Sequence, residues 1–315
     1  MTSRFRELFS KAYSCLAGVV LGDIAGSPFE GLPRRVIRKN YGKLLEPKPI
    51  GPFTDDTLLN LLVAEALCKA WDKNLRRFLA QKLLDTERSL KAHRAGATTL
   101  KAVKELRRDL NYRAVNGATN GGALRAFPIG IAIPYRYRQE LLETVVELTT
   151  LTHGSSEALA AAASIAFATS RSLEPNVTLE EVLNAALEGA ERLDIRLAEA
   201  LKKALRLADD AAMDDLPDLL PLEVGVSSLS LESVPAAFCV FKASKGDFST
   251  ALTIAISAGG DADSVASMAG GLCGAYMGLP RIPANWLKKI SSLDLKGLVE
   301  GLVNIRLSHL NTHVS

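Results

Sequence analysis

The chain has 315 residues, 48% hydrophobic and 23% charged, with 38 basic against 35 acidic side chains and a formal net charge of +3. This is a globular composition with enough apolar residues for a large core. Charges of both signs are scattered and no basic block is interleaved with aromatics, which leaves a nucleic-acid surface without support, except where a nucleic acid is itself a modified substrate.

The first predicted element is a helix over roughly 4–21, where Phe5, Leu8, Phe9, Ala12, Leu16, Val19 and Val20 recur at helical spacing. Arg4, Arg6 and Lys11 ahead of AYSCLAGVVLG imitate a signal peptide, but Glu7 interrupts the basic stretch. The segment therefore reads as a buried first helix and the protein as cytoplasmic. No run reaches the roughly 20 apolar residues of a membrane span. Further helices are expected over 55–72, 75–92, 98–109, 138–152, 156–171, 179–192, 195–210, 233–244, 247–257, 262–277 and 295–307. Between them lie Gly/Pro-punctuated connections such as GSPFEGLPRR, EPKPIGPF and GLPRIP. GVSSLSLESV (225–234) is the best extended candidate, and DDAAMDDLPD (209–218) reads as a solvated helix end and turn. Cys15, Cys68, Cys239 and Cys273 form no CxxC pair and read as core residues of a reducing compartment. The whole chain, 1–315, is expected to be one all-α domain, with a monomer compatible with everything in the sequence.

The helix over 262–277 carries Ala266, Ser267, Ala269, Gly270, Gly271, Gly274 and Ala275. Glycine in an exposed helix only destabilises it, so this composition implies a central helix closely approached on several sides. At its start stands GGDADS, with Asp261, Asp263 and Ser264; FTDDT supplies Thr54, Asp55 and Asp56 at another helix start about two hundred residues earlier. Taken singly, each motif reads as a cap: Thr54 at the N-cap, acids in the first turn, Asp261 capping the later helix. Taken together, they offer six hard oxygens, a set suited to Mg²⁺ or Mn²⁺. Four carboxylates gathered without cations would repel one another, so a two-metal site follows if the helix starts converge. Asp263 reaches such a site only if its helix begins irregularly, as Gly259 and Gly260 permit.

The ordered series GDIAGSPFEG (22–31), FTDDT (53–57), RAGATT (94–99), TNGGALRAFPIG (119–130), THGSSEALAAA (152–162), ESVPAAFCVF (232–241) and SAGGDADSVASMAGGLCGAYMG (257–278) resembles the motifs of the ADP-ribosylglycohydrolase family. The resemblance covers about residues 8 to 280 and implies an all-α, single-domain orthogonal multi-helix bundle with a binuclear Mg²⁺ or Mn²⁺ site at the base of a cleft. It makes Thr54, Asp55, Asp56, Asp261, Asp263 and Ser264 the expected metal ligands; the family usually has threonine where this chain has Ser264. Glu30 matches an acidic residue that helps activate water in some branches, and Asp56 joins it as a catalytic candidate. Asn120, Gly121 and Gly122 match the loop that holds ADP-ribose, with Gly96 and His153 as further cleft residues. Independently of the family, Gly121 and Gly122 let backbone N–H groups approach an anion, although a plain helix-start turn fits the same residues. Arg125 adds charge there or serves as a buried structural group. His93, His309 and His313 carry no supporting pattern.

The implied activity is metal-dependent hydrolysis of the bond between ADP-ribose and an acceptor, such as a modified protein side chain. The alternatives are a hydrolase of a small ADP-ribose or nucleotide derivative and a non-enzymatic protein of the crystallin J1 type. A helical isoprenoid synthase is disfavoured because DDTLLN lacks DDxxD spacing, Leu59 standing at the fifth position.

Overall fold

The computed structural model describes residues 3–71 and 74–311. The helices are α1 (Ser3–Gly26), α2 (Arg34–Tyr41), α3 (Asp55–Ala70), α4 (Leu75–Asp85), α5 (Glu87–Ala92), α6 (Ala97–Arg108), α7 (Gly121–Leu124), α8 (Phe127–Ala132) and α9 (Arg138–Thr149). They continue as α10 (Ser156–Ser172), α11 (Leu179–Glu191), α12 (Ile195–Asp210), α13 (Leu216–Glu223), α14 (Ser230–Ala243), α15 (Phe248–Ala258), α16 (Ala262–Met277), α17 (Ala284–Leu287) and α18 (Leu295–Asn311). Among the described residues no strand forms; two isolated antiparallel bridges join Pro33 to Gly259 and Thr119 to Leu229.

The all-α bundle is organised around α16, buried from Ala262 to Ala275 as its small residues imply. Its main partner is α1, and α15, α14 and α10 also pack on it. Where α1 and α16 cross, a Cβ on Gly22 would fall 2.2 Å from the Ala266 carbonyl oxygen, and one on Gly18 2.1 Å from that of Gly270. The two backbones are in direct contact, which only glycine permits. Phe5–Phe29 is long and apolar enough by composition to cross a membrane, with mean hydropathy 1.3, yet 78% of its apolar window is buried in the bundle. Isolated polar residues such as Ser14 and Asp23 break its apolar run into shorter pieces. Cys15, Cys239 and Cys273 are buried, and burial pushes the last two thiols up to about 12.

Several expectations are corrected. The helix over 75–92 is two helices, because Thr86 turns its hydroxyl onto the Lys82 carbonyl at 2.6 Å and leaves the helical region at φ −99°, ψ 7°. The extended reading of GVSSLSLESV fails beyond the Leu229 bridge: Ser230 begins α14, and the Ser233 hydroxyl donates back to Leu229 O at 3.1 Å. The helix end and turn expected over 209–218 are present, α12 ending at Asp210, but α13 begins within the segment at Leu216, and Asp218 pairs with the nearly buried Arg34 at 2.9 Å. The short helices α2, α8 and α17 have no counterpart among the sequence expectations, whereas α7 begins at Gly121, where a helix-start turn is one reading of the glycines. His309 belongs to α18, 3.0 Å from Glu140; His313 lies outside the described residues.

Candidate metal centre and cleft

Thr54 caps α3, its side chain accepting the Asp56 N–H at 3.2 Å. The start of α3 is held from behind by Asp23 of α1. One Asp23 oxygen accepts from the Thr54 N–H at 2.8 Å, the Thr57 N–H at 3.2 Å and the Thr57 hydroxyl at 2.5 Å. Its other oxygen is buried without a hydrogen-bond partner among the described residues. Asp55 donates its N–H to His93 O at 2.8 Å.

The second helix start has a different construction. Gly259 and Gly260 take φ +75° and +71°, conformations other residues rarely adopt. A Cβ on either would fall 2.3 Å from a backbone oxygen, that of Leu32 or Val226. This turn is strapped to the segment after Glu30 by Gly31 N–H to Gly260 O at 2.8 Å and Gly260 N–H to Leu32 O at 3.0 Å. Asp261, at φ −81°, ψ 59°, makes no capping bond; its carboxylate instead accepts from the Asn120 side-chain amide at 2.6 Å. The capping reading thus holds for Thr54 and fails for Asp261. The irregular start turns Asp263 into the same cleft, and Ser264 Oγ donates to Asp56 Oδ2 at 2.8 Å, joining the two helix starts.

Ligand atoms of Glu30, Asp261 and Asp263 lie within 4.8 Å of one another. Burial raises the Asp56 carboxyl well above its ordinary range, and the charges of Asp55, Asp263, Asp23 and Asp261 push it further. Asp263 is raised in the same way by burial and then by Asp261, Glu30 and Asp23. Asp55 is pushed up to about 6, first by burial and then by Asp23. The nearby cation is Arg94, which pairs with Glu30 at the exposed cleft mouth. Hard oxygens crowded this closely, with Arg94 the one arginine among the described lining residues, fit divalent cations, which would remove the repulsion.

The cleft has a volume of about 360 Å³. It is lined by Glu30, Thr54, Asp55, Asp56, Asp261, Asp263 and Ser264, and its wall also includes Gly96, Asn120, Gly121 and His153. Every candidate except Gly122 lines it; Gly122 is buried behind that wall, against Thr149. Arg125 is buried outside the lining, where it donates to Thr149 O at 3.0 Å. Residues the sequence reading did not single out also line the cleft: Arg94, Ala97, Thr98, Thr99, Thr119 and Ser228. Of these, the first four lie within RAGATT and Thr119 opens TNGGALR, so the motifs carried the signal. Ser228 had none; it arrives through Asn120 N–H to Ser228 O at 2.9 Å.

Burial, together with the charge of Arg125, lowers His153 to about 3. Folded His153 is therefore neutral where an unfolded histidine, near 6.5, takes up a proton. Its contribution is present above the unfolded pKa and is lost as pH falls from about 6.5 toward 3, at up to about 1.4 kcal/mol per pH unit. Denaturant titrations at successive pH values should show wild type losing stability relative to His153→Gln across that window. Parallel curves would show His153 to be solvated.

The fold and cleft define an all-helical bundle that presents a buried carboxylate cluster on two helix starts. The sequence profile of the ADP-ribosylglycohydrolase family matches residues 5–311, and the chain belongs to that family. It is 32% identical to an uncharacterized protein of Archaeoglobus fulgidus, covering 90% of this chain and 92% of that one. It is 29% identical to human ADP-ribosylhydrolase ARH3, covering 90% and 88%. A solved structure described as an ADP-ribosylglycohydrolase-related protein complex shares the fold at a TM-score of 0.75 and 24% identity, covering 95% of this chain and 99% of that one.

Proposed function

We propose that the protein is a hydrolase that cleaves the glycosidic bond between ADP-ribose and an acceptor, with two divalent cations, Mg²⁺ or Mn²⁺, as cofactors. The carrying observation is the convergence of Asp55, Asp56, Asp261 and Asp263 from two distant helix starts in one cleft, with Glu30 at its mouth. Those aspartates with Thr54 and Ser264 would hold the cations; Ser264 donates its proton to Asp56, which leaves its lone pairs free. Bound there, the cations supply Lewis-acid charge and acidify a water.

The remaining roles belong to the chain. Asn120 fixes the orientation of Asp261 through its side-chain amide. Arg94 holds Glu30 at the mouth, where Glu30 takes a proton from the water attacking the anomeric carbon and returns it to the acceptor atom as the glycosidic bond breaks. The surrounding carboxylates favour the positive charge of an oxocarbenium-like transition state. Asn120 and Gly121, at the glycine-rich turn that opens α7, form the side that receives the ADP-ribose phosphates.

Calorimetric titration with ADP-ribose, in Mg²⁺ and then in EDTA, tests the reading, followed by release of ADP-ribose from arginine-linked, serine-linked and small-molecule ADP-ribosides. Metal-dependent binding with release from one class is expected. Binding without release from any acceptor would favour a non-enzymatic role, and no binding in either condition would remove ADP-ribose as the ligand.

A further inference from the structure

The scattered charge of the chain conceals one exception. Residues 34–48 carry six cations, Arg34, Arg35, Arg38, Lys39, Lys43 and Lys48, against one carboxylate, Glu46, although the whole chain is only +3. Folding divides the six into two sets. Arg34 and Arg38 pair with Asp218 at 2.9 and 3.0 Å, and Lys43 pairs with Asp215 at 3.1 Å, which fastens α2 and the residues after it to the start of α13. Arg35, Lys39 and Lys48 are exposed, and among the described residues they form no ion pair.

This surplus stands beside the cleft mouth. α2 starts just after Glu30, at Arg34, and Tyr41 at its end meets Phe29, the residue before Glu30, edge to face with 5.4 Å between ring centres. The Tyr41 side chain is 50% exposed. The Glu30–Arg94 pair ties this rim to the turn before α6. On α6, Ala97 and Thr98 line the cleft, and Lys101 and Lys104 follow on the exposed face at one-turn spacing, again without an ion pair among the described residues. Five unneutralised cations and an exposed aromatic ring therefore flank the opening.

We propose that this rim docks a single-stranded nucleic acid whose end carries the ADP-ribose, so that the acceptor in the reaction is a terminal phosphate of the strand. The acceptor assignment rests on the reading of the cleft as an ADP-ribose site; the docking does not. A strand presents one negative charge per nucleotide, which suits cations spaced along two helices rather than gathered in a pocket. An acidic peptide would satisfy the cations and leave the ring unused, whereas unstacked bases lie flat on it. A duplex keeps its bases stacked on one another and offers the ring nothing. In the cleavage the water oxygen bonds to the anomeric carbon, and the terminal phosphate oxygen leaves with the bonding pair. The proton taken by Glu30 passes to that phosphate. Arg94, at the mouth, is the cation placed to meet the charge that gathers there.

Fluorescence anisotropy of unmodified oligonucleotides in EDTA reads the docking by itself. Binding of a single strand should weaken with salt at a log–log slope of about −3.5, from five contacts at about 0.7 each. Lys39→Ala should reduce that slope by about 0.7 and weaken every sequence alike. Lys296→Ala, near the Leu298–Cys68 contact at the far end of α3, should change neither. Tyr41→Leu, which keeps apolar contact with Phe29, should weaken binding about tenfold, and Tyr41→Phe should restore it. No strand binding, equal losses in Lys39→Ala and Lys296→Ala, or tighter binding of polyglutamate or of a duplex overturns the docking. Turnover in Mg²⁺ then reads the acceptor. An oligonucleotide bearing ADP-ribose on its terminal phosphate should be hydrolysed with a KM about tenfold below that of ADP-ribose 1″-phosphate, a difference that Lys39→Ala should narrow. Release from small ADP-ribosides but not from the oligonucleotide overturns the acceptor assignment alone. No release from any substrate overturns the ADP-ribose reading and the acceptor with it, while anisotropy still decides the docking.

Discussion

Asparagine in place of Asp263 or Asp56 is expected to cut turnover roughly 10²-fold or more while making the metal-free protein more stable than wild type. Loss of a partner behind a metal ligand already costs about 10–100-fold in affinity or activity, and loss of the ligand itself costs more. The stability effect has the opposite sign for a different reason. Asp56 and Asp263 are 7% and 3% exposed, and each faces other carboxylates. A neutral amide removes both the burial of charge and the repulsion. It also keeps the shape, since its carbonyl oxygen still accepts the Ser264 N–H at Asp263 or the Ser264 hydroxyl at Asp56. Adding Mg²⁺ or Mn²⁺ at a hundredfold excess over its Kd should stabilise wild type by about 2.7 kcal/mol and the variants by less. Thermal unfolding in EDTA and in metal, alongside turnover, reads all of this. A variant less stable than wild type in EDTA, with its metal response intact, would show that these aspartates serve the fold rather than a cation.

The parts of this site written in local sequence were legible, and those made by distant pairing were not. Thr54, Asp55 and Asp56 stand together at a helix start, and the small residues of α16 announce a central helix wherever it lies. Their convergence depends on contacts that no window contains: Gly31 to Gly260, Asn120 to Asp261 and Ser264 to Asp56. The family motifs supplied what spacing could not. Asp23 was visible and unused. A lone carboxylate in the apolar run VVLGDIAG must find several donors if buried, which marks it as the anchor of another element. The break at Thr86 went unseen because the apolar spacing of α4 continues into α5, while the interruption is a hydroxyl competing for a backbone carbonyl. Ser230 was hidden similarly: the alternation in GVSSLSLESV mimics a strand, and burial against α12 and α16 decides for the helix.

Valine at Gly22 is expected to prevent folding, and alanine at Gly26 to give a folded protein that has lost its metal response. Both glycines lie on the α1 face that touches α16, at different distances from the cleft. At Gly22 a single Cβ would sit 2.2 Å from Ala266 O and 2.7 Å from Ser267 Cα, both backbone atoms that cannot swing aside. Relief requires the two central helices to separate, and every element packed on them would lose contact. Overpacking costs about 1–3 kcal/mol where side chains can adjust, and more where backbone must move. Gly26 is the last residue of α1, and its Cβ would lie 2.4 Å from Asp263 Cα and 2.6 Å from Ala262 O. There the strain falls on the first turn of α16, which can shift locally and carry Asp263 out of register with Asp56. A displacement of this kind costs metal affinity before it costs the fold. Gly96 provides the contrast: at φ −61°, with no atom within 4 Å of its would-be Cβ, its alanine variant should unfold within about 0.5 kcal/mol of wild type. Thermal unfolding of the three variants, with and without Mg²⁺, separates the cases. If Gly22→Val melts like wild type, α1 and α16 do not touch backbone to backbone. If Gly26→Ala keeps a full metal-induced rise in melting temperature, the end of α1 does not position the centre.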